Sequence, residues 1–168
     1  GAIGHLNREV LEVTAGVRDR YDGERRNPWN EIECGSNYAR SMASWGAMLV
    51  LSGFSFDAVR GHIGFAPRVQ DKGRFLSFWS GANAYGTVEL GDGRIRIAVL
   101  GGGLELHSLG LPEGSGTPGA AKLNGKVVSV EARQDQAAFA GLRLAAGDNI
   151  EMAVPGLGLM ALPELATL

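Results

Sequence analysis

The stretch that decides the fold runs Thr87-Val-Glu-Leu-Gly-Asp-Gly-Arg-Ile-Arg-Ile-Ala-Val99. Apolar residues occupy alternate positions on each side of the turn signal Gly91-Asp92-Gly93; they are Val88, Leu90, Ile95, Ile97 and Val99. A period of two predicts strands with one buried face, and the Gly-Asp-Gly sequence predicts a tight hairpin turn between them. The sequence therefore predicts an antiparallel hairpin at the centre of a β-rich region.

The same signals continue towards the C-terminus. Leu104 and Leu106 predict a further short strand after Gly101-Gly102-Gly103, and Asn124-Gly125 has type I′ turn chemistry. Ala146-Gly147-Asp148 is another turn signal, and it precedes alternating apolar residues. Short strands at this spacing predict a β-rich, sandwich-like region, which we assign to residues 58–168.

Residues 1–57 have the period of helices. An apolar stripe from Ile3 to Val17 predicts an amphipathic helix that ends near Arg20. A second helix is predicted from Ser36, a good N-cap, to about Ser52, with Gly53 after its end. This second helix is apolar on nearly every side after Arg40, so we expect it to need more partners than the first helix supplies.

Composition excludes several classes of function. Of the 168 residues 45% are apolar and 20% charged, and the net charge is −2 with both signs well mixed. No basic run predicts a nucleic-acid partner, and the longest apolar stretch, Trp45–Leu51, is too short to span a membrane. The histidines and acids have no metal-ligand spacing, so no cofactor is expected. The single cysteine is compatible with a cytoplasmic or an exported protein.

The chain begins at Gly1, without a methionine, directly in a helical pattern. Together with the over-buried second helix, this start leads us to expect that further sequence of the same polypeptide precedes it.

The densest polar cluster spans Arg25–Arg40 and precedes the buried helix. Glu31 and Arg40 are nine positions apart, so in one continuous helix they would point about 180° from each other. They can converge if Glu31 lies in the loop before Ser36 and Arg40 lies in the first turns of the helix. A carboxylate and a guanidinium near aromatic rings would suit a sugar, whose hydroxyls bind charged groups and whose C–H face contacts aromatics.

Two other interpretations of this cluster stay open. Glu31 and Arg40 could pair with each other or with Arg25 and Glu33, as in an ordinary structural ion-pair network. Glu31 and Glu33 could instead form a catalytic pair, since their spacing allows the separation of about 5–5.5 Å of retaining glycosidases or about 6.5–9.5 Å of inverting ones. Acids just before a helix, however, usually serve its N-terminus.

A longer pattern in this region resembles a known family. The segment Asn27-Pro-Trp-Asn-Glu-Ile-Glu-Cys-Gly-Ser-Asn-Tyr-Ala-Arg-Ser-Met-Ala-Ser-Trp45, continued by Leu51-Ser-Gly-Phe54 and Gly64-Phe-Ala-Pro67, resembles the C-terminal end of the catalytic domain of glycoside hydrolase family 116. That family includes bacterial β-glucosidases and non-lysosomal glucosylceramidases. The resemblance covers residues 21–67, with a weaker similarity over Arg74–Gly86.

The resemblance implies both a fold and an activity. Residues 1–57 would be the terminal helices of an (α/α)6 barrel, in an α+β chain whose parent hydrolyses β-glucosides or related β-glycosides with retention. Glu31 and Arg40 match positions that hold the sugar hydroxyls in the −1 subsite. The family's catalytic glutamate and aspartate lie upstream of this pattern, so neither is expected in this chain. The family often has Asp-His where this chain has Ser36-Asn37, which leaves any polar contact at that point open.

The expected partners are therefore a glycoside substrate and the upstream part of the same polypeptide. Two alternatives remain: a non-catalytic carbohydrate-binding or structural β module, and an inactive relative of the family.

Overall fold

The structure is a computed structural model that describes residues 2–20, 24, 42–133, 135–157 and 159. Over these residues the chain is α+β and mostly sheet, which confirms the predicted class and the β-rich region. The chain divides into two compact units, one holding the helices and one spanning residues 52–161. The described part has two helices, α1 (Ala2–Arg18) and α2 (Met42–Ser52), and it shows no (α/α)6 barrel.

Ten strands follow within the described residues. They are β1 (Ser55–Asp57), β2 (His62–Gly64), β3 (Phe75–Ser80), β4 (Ala84–Gly91), β5 (Arg94–Gly110), β6 (Ala121–Leu123), β7 (Lys126–Val128), β8 (Glu131–Arg133), β9 (Gln136–Ala145) and β10 (Asn149–Ala153). Every pairing between them is antiparallel except that of β2 with β5.

Strand β5 is shared by two sheets. Its N-terminal half pairs with β4 on one side and β10 on the other, and β3, β6 and β7 extend this sheet, which we call sheet I. Its C-terminal half pairs with β2 and β9, and β1 and β8 extend this second sheet, sheet II. The two sheets are thus held together by the continuous backbone of one strand of 17 residues.

The change of sheet takes place at Gly101–Gly103. Gly102 has φ +77°, and a Cβ added there would lie 1.9 Å from the backbone oxygen of Asn83. Gly103 donates its N–H to that same oxygen at 3.0 Å. Only a residue without a side chain allows the β3–β4 turn to approach the bend so closely. The sequence prediction of two strands separated by the glycines is therefore wrong, because here the glycines bend one strand instead of ending it.

One hydrophobic core lies between the sheets. Trp79 is 1% exposed and donates its indole N–H to the backbone oxygen of Thr87 at 3.1 Å, so its single polar group is satisfied. Both sheets contribute side chains to this core; among them are Val88, Leu90, Ile95, Ile97, Val99, Leu106, Leu109 and Ile150. The alternation predicted from Thr87 to Val99 is confirmed.

The predicted turns are confirmed by their backbone angles. Asp92 and Gly93 have φ +50° and +67°, and Asn124 and Gly125 have φ +49° and +80°, as a type I′ turn requires. Gly147 also adopts a positive φ, +94°, between β9 and β10. Turn chemistry is a local property, so the sequence alone is sufficient to predict it.

The helices agree with prediction in position more than in burial. Gly53 has φ +58° directly after α2, as expected of a residue that ends a helix. The predicted start of α2 at Ser36 lies outside the described residues. Val13 of the predicted buried stripe is 67% exposed, and α2 exposes 45% of Trp45 and 51% of Val50. The prediction that Val13 is buried is therefore wrong, whereas the exposed apolar side chains of α2 accord with the expectation that this helix needs more partners than α1 supplies.

We expect Gly102→Ala to destabilise the protein more than Gly125→Ala. Both positions have a positive φ, which costs an alanine about 1–2 kcal/mol, but a Cβ at Gly125 meets nothing within 4 Å. At Gly102 the clash with Asn83 adds about 1–3 kcal/mol. Urea unfolding followed by circular dichroism measures both losses, and equal losses would contradict the role of the close approach at the bend.

The carboxylate of Asp148 gives a second prediction. It accepts hydrogen bonds from the Ala145 N–H at 2.7 Å and from the Asn124 amide at 2.6 Å. The Ala145 N–H first, and then the Asn124 amide, hold the pKa of Asp148 below its ordinary value of 3.8. Because the folded chain binds the ionised form more favourably, Asp148 contributes stability above about pH 4, and this is lost as the pH falls through the lowered pKa.

Accordingly, Asp148→Asn should lower the free energy of unfolding at pH 7 and have a shrinking effect between pH 4 and pH 2. Glu113→Gln in an exposed loop is the control, since it removes one charge of the same sign. Denaturant titrations across this pH range make the comparison. An Asp148→Asn effect that is independent of pH would contradict the assignment.

Candidate functional site

The predicted sugar-binding residues Glu31 and Arg40 lie outside the described residues. The same holds for Trp29, Ser36 and Tyr38, so the loop–helix arrangement proposed for them stays a prediction.

The later part of the family-like pattern is described, and its residues pack at the start of the β unit. Phe65 is 1% exposed, and its ring centroid lies 5.5 Å from that of Phe54. A Cβ on Gly53 would lie 2.2 Å from the backbone oxygen of Ala66, whose N–H donates back to Gly53. Packing explains these residue types without any ligand. The ligand-binding role expected from the resemblance therefore rests on Asn27–Arg40.

A hydrogen-bonded row crosses sheet II at His62. Its Nδ1 lies 2.8 Å from the Ser108 hydroxyl, and its Nε2 lies 3.4 Å from the Ser55 hydroxyl. The parallel pairing of β2 with β5 places His62 directly opposite Ser108. A serine nucleophile normally needs a carboxylate to orient its histidine, and here a hydroxyl occupies that position. The row therefore orients the imidazole without forming a catalytic triad.

Asp57, next to this row, is a structural carboxylate. It accepts hydrogen bonds from the N–H groups of Val59 and Arg60, at 2.9 and 3.0 Å. The Arg60 N–H makes the largest contribution to holding the pKa of Asp57 below its ordinary value. These bonds close the β1–β2 turn.

The outer face of sheet I carries a row of alternating charges. Glu89, Arg96, Glu151 and Lys122 face one another in turn across β4, β5, β10 and β6. Arg74 pairs with Glu89, which raises the pKa of Arg74, and Arg94 pairs with Glu151 at 2.9 Å. Cross-strand pairs of this kind stabilise a sheet, and the two glutamates of the row already form ion pairs with Arg74 and Arg94.

A cleft of about 340 Å³ opens beside the bend of β5, within the unit spanning residues 52–161. We call it the bend cleft. The residues that line it are Phe56, Ala58, Ala82, Asn83, Ala84, Gly103, Leu104, Glu105, Arg143 and Leu144. Its lining combines apolar residues with Asn83, Glu105 and Arg143, and it is the candidate functional site.

The floor of the bend cleft is fixed by core packing. Leu104 and Leu144 are 5% and 2% exposed and belong to the hydrophobic core. The half-buried Phe56 ring lies over Gly81, where an added Cβ would come within 2.7 Å of it. Gly81 therefore leaves the space that the ring occupies, and the ring forms one wall of the cleft.

The polar side of the bend cleft comes from sheet II and the β3–β4 turn. Glu105 and Arg143 are register partners across β5 and β9. A carboxylate oxygen of Glu105 lies 3.0 Å from Nε2 of His107. Asn83 is exposed at the mouth, and its backbone is anchored by the hydrogen bond from Gly103. Because Glu105 and Arg143 alternate with the buried Leu104 and Leu144, their side chains lie on the face of sheet II opposite the core.

Sequence reasoning missed this site because its parts are far apart in the chain. Only the turn and strand positions were predictable, and nothing local indicates that β1, the β3–β4 turn and β9 converge at Gly103. The glycine triplet was the one available signal, since glycine inside a strand often marks a bend or a close approach.

No family model matches the chain, and none of the curated proteins is significantly similar to it. Among the described residues, no group of three His, Cys, Asp or Glu side chains could hold a metal ion. None of the helices described is long and apolar enough to cross a membrane.

Proposed function

We propose that this chain is the C-terminal part of a retaining glycoside hydrolase related to family 116, acting on β-glucosides or related β-glycosides. The observation that carries the proposal is the pattern Asn27–Trp45, with its continuations at Leu51–Phe54 and Gly64–Pro67. In this proposal Glu31 and Arg40 bind the hydroxyls of the sugar in the −1 subsite. The glutamate nucleophile and the aspartate acid/base belong to the upstream part of the same polypeptide.

The exposure of apolar side chains on α2 supports this proposal. Trp45 and Val50 are about half exposed on a helix of 11 residues that carries no charged residue. Helices that are apolar on all sides normally lie inside a larger helical body. The remaining helices of an (α/α)6 barrel would provide such surroundings, and α1 and α2 would be its last members.

The polar cluster has a chemical role in this proposal. A carboxylate accepts and a guanidinium donates hydrogen bonds, so together they fit the paired hydroxyls of a pyranose. Fixing the ring next to the catalytic carboxylates raises the rate through positioning, even though neither group takes part in bond breaking. Glu31 and Arg40 are therefore binding residues.

We expect Glu31→Ala and Arg40→Ala to lower kcat/KM of the full-length parent on an aryl β-glucoside by about tenfold or more, because each removes charge-assisted hydrogen bonds to the sugar. Glu131→Ala and Arg133→Ala are matched controls, since these two residues form an exposed ion pair on β8. A loss below about threefold, or roughly 0.65 kcal/mol, at Glu31 and Arg40 would exclude their proposed role.

The isolated chain of 168 residues should show no turnover of the same aryl β-glucoside. The reason is that retention requires two carboxyl groups about 5–5.5 Å apart, and the proposal assigns both to the upstream part. Release of the chromophore by the purified chain, at a rate above that of a heat-denatured sample, would show that the catalytic pair lies within it.

A further inference from the structure

The turn between β6 and β7 contains a chemically reactive sequence. Asn124 is the only asparagine of the chain that is followed by glycine. In an Asn-Gly sequence the backbone nitrogen of the glycine can attack the side-chain amide carbon, because glycine has no side chain to hinder the approach. Both residues are exposed, and a Cβ added at Gly125 would meet nothing within 4 Å. Among the described residues, no group accepts a hydrogen bond from the Gly125 N–H, so the attacking nitrogen is open to solvent.

The Asn124 side chain, by contrast, is held at both ends of its amide. Its Nδ2 donates to a carboxylate oxygen of Asp148 at 2.6 Å, and its Oδ1 accepts from the Asn149 N–H at 2.9 Å. The side-chain amide of Asn149 lies 3.3 Å from the same Oδ1. A hydrogen bond to a carboxylate is stronger than one between neutral groups, so the contact with Asp148 is the strongest of the three. We call Asp148 and Asn149 the amide clamp.

The amide clamp is itself fixed to sheet I. The second carboxylate oxygen of Asp148 accepts the Ala145 N–H at 2.7 Å, and the backbone oxygen of Asn149 accepts the Asn124 N–H at 2.9 Å. Asn149 is the first residue of β10 and pairs with Ala98 of β5. The position of the Asn124 amide is therefore set by paired strands, although the turn that carries it is exposed.

The clamp opposes the attack by Gly125. Ring closure brings Cγ of Asn124 to bonding distance from the Gly125 nitrogen and makes the planar amide tetrahedral. Nδ2 and Oδ1 then leave the positions in which Asp148 and Asn149 hold them, and their hydrogen bonds are lost. Because the loss includes a bond to a charged group, we expect the reactive arrangement to be rarer by about tenfold or more than in an unrestrained chain.

We propose that Asn124 is a site of spontaneous deamidation and that the amide clamp sets its rate. The Gly125 nitrogen forms a bond to Cγ of Asn124 and gives its proton to the solvent, and Nδ2 leaves as ammonia. Water then opens the cyclic imide at either carbonyl, which yields aspartate or isoaspartate. The net reaction converts an amide and water into a carboxylic acid and ammonia. This chemistry goes beyond the proposed glycosidase function and does not depend on it.

Either product prevents the clamp from forming again. An aspartate places a second carboxylate where Nδ2 now lies 2.6 Å from Asp148, and like charges at such a distance repel each other. An isoaspartate adds one carbon to the main chain of a two-residue turn, whose length fixes the strand register. Since β6 and β7 have three residues each, little pairing remains to hold the altered hairpin.

The test follows the purified full chain at neutral and mildly alkaline pH. Peptide mapping with mass spectrometry separates asparagine, aspartate and isoaspartate at position 124. The folded chain should react at Asn124 about tenfold or more slowly than the chain unfolded in guanidinium chloride, a comparison that needs no variant. Asp148→Ala should raise the rate in the folded chain about tenfold, because it removes the charge-assisted hydrogen bond. Circular dichroism establishes that the variant is folded, and Asp148→Asn, which keeps the shape of the side chain, replaces it if Asp148→Ala does not fold.

Asp57→Ala is the matched control, because Asp57 also accepts two backbone N–H groups and closes a turn, but between β1 and β2. It should leave the rate at Asn124 unchanged. The proposal is overturned if the folded and unfolded chains react equally fast, or if another asparagine reacts faster than Asn124 in the unfolded chain. It is also overturned if the folded Asp148 variant reacts no faster than Asp57→Ala.

A second measurement concerns the product. Asn124→Asp reproduces one outcome of deamidation and should lower the midpoint of urea unfolding at neutral pH. Asn83→Asp adds the same charge in the exposed β3–β4 turn and should change the midpoint less, because no described group bonds to the Asn83 side chain. Equal midpoints for the two variants would contradict the role assigned to the amide clamp.

Discussion

The close approach of the β3–β4 turn to the backbone of β5 is the constraint on which the β unit depends. At Gly102 the chain comes so near Asn83 that no side chain fits between them, and the hydrogen bond from Gly103 fixes the contact. This contact turns a strand of 17 residues from one sheet into the other. Sheet I, sheet II and the bend cleft all take their positions from this one bend.

Features of the fold that depend on residues close together in the chain could be predicted from the sequence, and features that depend on distant residues could not. The hairpin around Asp92 could be predicted because its turn and its alternating residues are neighbours in the chain. The continuity of β5 could not, since a glycine triplet is compatible with an interruption, and only the contact with Asn83 distinguishes a bend from a break. The parallel pairing of β2 with β5 could not be predicted for the same reason, because it joins His62 to Ser108, which are 46 positions apart.

The candidate sites show the same division. Glu31 and Arg40 could be proposed as sugar-binding residues because they belong to one short polar segment and because that segment resembles a family. Glu105 and Arg143 are neighbours only because β5 pairs with β9, and Phe56 lines the bend cleft because it packs against Gly81. A cluster within one segment can be proposed from spacing, whereas a cleft built by several strands requires the fold.

The shared strand also has a consequence for biosynthesis. β5 is complete at Gly110, but its partner β10 ends only at Ala153. At a synthesis rate of about 5–20 residues per second, one side of the N-terminal half of β5 waits roughly 2–9 s for that partner. During this interval the growing chain presents an open strand edge next to the apolar residues of the future core, and such edges are where nascent chains associate with one another. A strand that unites two sheets in the finished protein is thus the segment that the emerging chain must protect longest.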